Sequence, residues 1–177
     1  MLAELENELL AAVRDSALGP RLKKIDILPR ITPDVIKSLA TEAPAVYVAI
    51  NSLLVDDHRV QNTIDVLCLA RNARGHVEAR HGDGQTIGLY QIVDAMLALT
   101  GPGSTHGFKT KSARIDADPV WEAAGLNAAG MVIEVHETVP AEVDVNSLAP
   151  FLTFHAEHSL VAGELEPAAI DEVTLPQ

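Results

Sequence analysis

Cysteine occurs once in these 177 residues, and no lysine or arginine follows Arg114. A lone thiol excludes an internal disulfide scaffold. Cys68 lies in the apolar alternation of NTIDVLCLAR and reads as a core thiol in a reducing compartment, because apolar surroundings raise a thiol pKa rather than activate it. Aromatic residues make up 3% of the chain, too few for a platform on which bases stack. No apolar run approaches the ~20 residues of a membrane span. The amino-terminal MLAELENELL is acidic where a secretion signal is basic, which predicts a protein made and kept in the cytoplasm.

The formal net charge is −12, and its placement is uneven: twelve Asp or Glu lie beyond Arg114. Gripping a phosphate backbone needs Lys and Arg, so this balance disfavours nucleic-acid binding. It suits a self-repelling soluble surface, an acidic face meeting a basic partner, or the lining of a channel through which DNA slides.

Signatures of catalysis are equally scarce. Gly82, Gly84, Gly88 and Gly101, Gly103, Gly107 each read G-x-G-x-x-x-G, one residue too long for a dinucleotide loop, and no G-K-[ST] follows to make a phosphate loop. The polar stretch RNARGHVEARH also separates Gly82 from the last strand residue, Ala70, whereas a dinucleotide loop leaves its strand directly. The glycines therefore read as punctuation at both ends of a helix. In FHAEHSL, His155 and His158 are three apart, where a zincin helix needs four, and on a strand they point to opposite faces. Glu134, His136 and Glu137 read as decoration of a strand, and no G-x-S-x-G elbow is present. No catalytic, cofactor-binding or metal-binding residue is predicted.

What is present is an alternation of helices and strands. Leu2, Leu5, Leu9, Ala12 and Val13 form one stripe of a first helix, with Glu4, Glu6 and Glu8 near its favourable end and Gly19 and Pro20 stopping it. KKIDILPR predicts a short strand, and TPDVIKSLA a brief helical turn capped by Thr32. PAVYVAINSLLV and VQNTIDVLCLAR predict two strands joined at VDDHR. Thr86 to Leu99 predicts the second main helix, burying Leu89, Ile92, Val93, Met96 and Leu97, with Gln91 on another face. Asp83 is expected to cap its start, and a left-handed glycine in TGPG its end. KSARIDADPV, AGMVIEVHETV and PFLTFHAEHSL predict further strands, with no third convincing helix. The order implies an α+β fold, mainly an antiparallel sheet with two principal helices on one face. Residues 1–160 are expected to form this domain, and 161–177, acidic and Pro-punctuated, an extended carboxyl-terminal arm.

RNARGHVEARHGDG is longer than an ordinary connection, and long loops tend to be functional. Its Arg71, Arg74, His76 and Arg80 are expected at a subunit interface, satisfied by a neighbour's acids. Lys109 and Lys111 are expected there as well, together with Leu165, Ile170 and Val173, through which the arm docks on a neighbour.

The amphipathic first helix, PAVYVAI, the RN-x-RG turn, the Arg and Gly of ARHG and the helix GLYQIVDAMLAL together resemble the tail terminator (tail completion) proteins of Mu-like bacteriophages and prophages. The similarity covers roughly the first hundred residues; beyond GPGSTHG only the strand order matches. The resemblance implies a virion subunit assembled in the host cytoplasm, without enzymatic activity, cofactor or membrane contact. It implies a ring, hexameric in form, that caps the tail tube and ends its polymerisation. Its partners would be further copies of itself, the tail tube protein, the head-tail connector and, as a further candidate, the tail sheath protein, with DNA passing through the lumen. Three alternatives stand beside it: another neck or tail ring subunit, a connector or tube protein; a small hydrolase using a metal at His155, Glu157 or His136; and a binding module that forms no ring.

Overall fold

The computed structural model describes residues 2–56, 59–101, 107–138, 153–158 and 169–174. They fall into two units, Met1–Val139 and Pro140–Gln177.

The first unit is an α+β fold around a five-stranded sheet. Its strands are β1 (Lys24–Ile27), β2 (Ala45–Asp56), β3 (Arg59–Ala70), β4 (Lys109–Asp116) and β5 (Asn127–Thr138), in the order β1-β2-β3-β5-β4. The pairs β2–β3, β3–β5 and β5–β4 are antiparallel, as the strand patterns imply. The pair β1–β2 is parallel, Lys24 opposite Ala45, because a helix rather than a hairpin turn connects the two strands. That helix is α2 (Pro33–Glu42), a full ten residues where a brief turn is expected. Thr32 caps it as read, its hydroxyl accepting from the Val35 amide, with Pro33 at the first position.

Period-two side chains give the sheet two faces, and helices cover both. α1 (Leu2–Asp15) and α4 (Leu89–Thr100), the two principal helices, pack together on one face. Leu9, Val13, Ile92 and Met96 there meet Val46, Val48, Ile64, Cys68, Met131 and Ile133. On the other face α2 and a short helix, α5 (Pro119–Ala123), bring Ile36, Leu39 and Trp121 against Tyr47, Leu69 and Ala128. The predicted stripe of α1 is buried from Leu5 to Val13, with Leu10 added and Leu2 half-buried.

A β-bulge interrupts β2, where Ile50 faces Ile64, Ser52 faces Thr63 and Asn51 is the extra residue. Beside this break the Ile50 amide donates to Glu6 of α1 at 2.9 Å. The bulge also shifts the alternation, so Leu53 and Val55 face Asn62 and Val60 on the α1/α4 side of the ribbon.

The stretch before α4 differs most from expectation. RNARGHVEARH is not all loop: His76–His81 forms α3, burying Ala79. Asp83 does not cap α4. Its Oδ1 accepts from the Gln85 and Thr86 amides, closing a turn earlier in the chain. The helix begins at Leu89, and Gln91 reaches back so that its Oε1 accepts from the Gly88 amide at 3.1 Å. Gln91 therefore has a local task that its position on a polar face does not reveal. At the other end Gly101 is extended (φ −84°, ψ −177°) rather than left-handed. Leu97, expected in the core, is 37% exposed.

The second unit contains β6 (Thr153–His158) and β7 (Ala169–Thr174), paired antiparallel with Phe154 opposite Val173. The segment expected as an extended arm thus contributes a strand to a ribbon of its own chain, since IDEV supplies branched residues at both ends of an acidic pair. Leu165 lies outside the described residues.

Candidate functional site

The chain leaves the core at Ala70 and must turn twice before α4 begins. Residues 71–91 make this corner, and the expected interface cations hold it together. Arg71 donates through Nη1 to the Ala40 carbonyl at 3.0 Å. Ala40 lies in the last turn of α2, where carbonyls lack helical partners and a cation is favourable, so Arg71 serves as that helix's carboxyl-terminal cap. Arg74 pairs with Asp83 at 3.4 Å, its own side chain 63% exposed and that of Asp83 10%. The amides of Thr86 and Gln85, the Asn72 side chain and Arg74 together hold the Asp83 carboxyl below its ordinary pKa, the Thr86 bond having the largest influence. Arg80 Nε donates to Asn127 Oδ1 at 3.1 Å, and Asn127 Nδ2 lies 3.4 Å from His76 Nδ1. Asn127, 6% exposed at the start of β5, therefore ties both ends of α3 to the sheet.

Each of these four residues has an identified task within its own chain, whereas the sequence suggests a neighbour's acid. A guanidinium has five donors, so one bond leaves each arginine able to meet a further acceptor. Glycine makes the tight corner possible. Gly82 sits at φ +82°, and a Cβ on Gly88 would lie 2.2 Å from the Gly82 nitrogen. The first glycine triplet is thus a packing device where two backbones meet.

Lys109 and Lys111 lie on β4, an edge strand whose residues are mostly exposed. Lys111 pairs with Glu134 at 2.8 Å, and His136 Nε2 lies 3.7 Å from the same carboxylate. Ile170 and Val173 lie on β7, and His155, Glu157 and His158 on β6; the register sets His155 opposite Glu172 and Glu157 opposite Ile170. Among the described residues no three His, Cys, Asp or Glu gather in a way that could hold a metal ion. No described helix is long and apolar enough to cross a membrane.

Two surface features escape the sequence reading. Near the open end of the β2–β3 ribbon, Leu53, Leu54 and Val55 are 44, 63 and 61% exposed. The three adjacent apolar residues of NSLLVD break the alternation and are the signal that could have exposed this patch. The second is a groove of about 380 Å³ on the α2/α5 side of the sheet, lined by Leu28, Ile31, Trp121 and Val132 with Asp65 and Arg114. It exists because Gly130 places no side chain there and α2 and α5 cover only one end of that face.

A cation-braced corner, a basic edge strand and an uncovered apolar ribbon end offer contact surfaces, the equipment of a structural subunit. The chain belongs to the bacteriophage Mu Gp37 family: the model of that family, described as "Bacteriophage Mu, Gp37", matches residues 1–117, from α1 through β4. It is a phage protein of Mu type, and the membership points to a structural, tail-related component of the virion rather than an enzyme. No curated protein matches the chain.

Proposed function

We propose that this protein is a tail terminator: a ring-forming subunit, six to the ring, that caps the tail tube, ends its polymerisation and presents a face to the head-tail connector. The observation that carries the reading is the match to the Mu Gp37 family over residues 1–117, which includes the motifs that resemble tail terminators. The apolar ribbon end supports it physically. Leu54 and Val55 are more than half exposed on opposite faces of β2 where it runs on beyond its pairing with β1, and ring interfaces are heterologous, one patch of each copy meeting a different patch of the next. Arg71, Arg74, His76 and Arg80 act in this reading chiefly by fixing the corner's shape, their remaining donors facing a neighbour. Partners are further copies of the chain, the tube protein and the connector.

The test joins assembly and complementation. Purified protein viewed by negative stain should form six-fold annuli, and Leu54→Asp with Val55→Asp should abolish them while circular dichroism stays unchanged. The same variant should fail to restore tails of normal length to a phage lacking its terminator. Normal-length tails from a phage carrying a premature stop in this gene would refute the proposal.

A further inference from the structure

We infer that the edge strand β4 of one copy receives the acidic segment 140–177 of a second copy, with β7 aligned beside β4 as an added strand of its sheet. The inference rests on the ring reading for the presence of a second copy and names the contact through which copies join.

Three observations lead to it. β4 closes the five-stranded sheet on one side, with β5 as its neighbour, and six of its eight residues are exposed. An exposed edge presents a row of backbone donors and acceptors on which another strand can pair. The edge is cationic, since Lys109, Lys111 and Arg114 lie on it. The register places Lys109 and Arg114, opposite Glu134 and Gly130, on the sheet face turned away from α1 and α4. Segment 140–177 carries seven carboxylates and no lysine or arginine. Two of them, Asp171 and Glu172, occupy the middle of β7, so charge complements charge along a shared strand direction.

The ribbon itself gives the third observation. β6 and β7 share six residue pairs. Among the described residues no third strand joins them, and a two-stranded hairpin is marginal in water without a third strand or a packed face. Pairing with β4 supplies that third strand.

Charge reversal on each side, followed by a swap, tests the contact in the full chain. Lys111 is left intact because Glu134 pairs with it. Lys109→Glu with Arg114→Glu, Asp171→Lys with Glu172→Lys, and the fourfold combination would be compared with wild type by sedimentation velocity and negative stain. The uncharged pair Lys109→Gln with Arg114→Gln serves if the reversed pair misfolds by circular dichroism. Each double variant should weaken association by about tenfold or more, and the combination should restore most of it. Raised salt should weaken wild type in the same direction. Annuli that form unchanged in both double variants would overturn the contact and leave the ring reading standing. A charge-sensitive, swap-rescued oligomer that is not annular would uphold the contact and overturn the ring. Wild-type protein that stays monomeric at every concentration would overturn both.

Discussion

Replacing Gly88 with alanine adds one methyl group where two stretches of backbone already touch. An ideal Cβ there lies 2.2 Å from the Gly82 nitrogen, 2.5 Å from the His81 carbonyl carbon and 2.6 Å from the Arg80 oxygen. All three are main-chain atoms, so no change of rotamer relieves the overlap. The start of α4 would have to withdraw from residues 80–82 by about 1 Å to regain ordinary contact. Leu89, Ile92 and Met96, each 0% exposed, would be carried with it. The backbone of Gly88 is extended, at φ −92° and ψ 164°, a conformation alanine adopts freely. On chain entropy alone the substitution would therefore stabilise by about 0.4 to 1 kcal/mol. Overpacking a close-packed site costs about 1 to 3 kcal/mol, and rigid neighbours place this case at about 3 kcal/mol. The clash decides the sign. Against a total stability of about 5 to 15 kcal/mol, the loss should lower the melting temperature by about 10 °C. Gly84→Ala is the internal control: its φ is +80°, but no atom lies within 4 Å of the added carbon. Strain there costs about 1 to 2 kcal/mol, so its effect should be the smaller. Thermal and urea melts of both variants measure the difference. A Gly88→Ala protein melting with wild type, or above Gly84→Ala, would refute the reasoning.

Two further outcomes follow from the core. Ile92→Ala should cost about 2 to 5 kcal/mol through the cavity it leaves. Gln91→Ala should cost about 0.5 to 1.5 kcal/mol through the lost Gly88 hydrogen bond, so urea midpoints should fall for both, with Ile92 several times the larger. Burial pushes the Cys68 thiol up to about 12, which makes the folded state favour the neutral form. The associated stability is complete below the ordinary thiol range and is lost as pH rises through that range toward 12. Native protein should resist iodoacetamide until denatured, and Cys68→Ala should show a shallower loss of stability in alkali than wild type.

Periodicity made the central layers legible. Val46, Val48 and Ile64, Val66, Cys68 alternate because one face of each strand meets α1 and α4, and Leu89, Ile92 and Met96 recur at helical spacing for the same reason. Where local signals compete, tertiary packing decided the outcome. Asp83 resembles a helix cap, but its carboxylate closes its own turn first, and Gln91 takes over at Gly88. α3 has only six residues, too short for a periodic signature, and depends on Arg80 and Asn127 meeting from positions 47 apart. Separation in sequence likewise hid the tasks of the cations expected at an interface: nothing in RNARGHVEARH says that Arg71 will find the end of α2, 31 positions earlier. The basic edge could be listed as Lys109 and Lys111, but only the strand order makes it an edge.

The partition of charge between the two units bears on how the free subunit behaves before it meets a partner. Residues 1–139 hold all thirteen cations against eighteen carboxylates, while 140–177 adds seven carboxylates and nothing basic. The larger unit also exposes Leu53, Leu54 and Val55. A chain cut at the unit boundary would keep that adhesive end with less than half of the net charge, the condition under which colloids flocculate. The acidic segment thus supplies seven of the twelve net negative charges, and with them most of the long-range repulsion that salt screens.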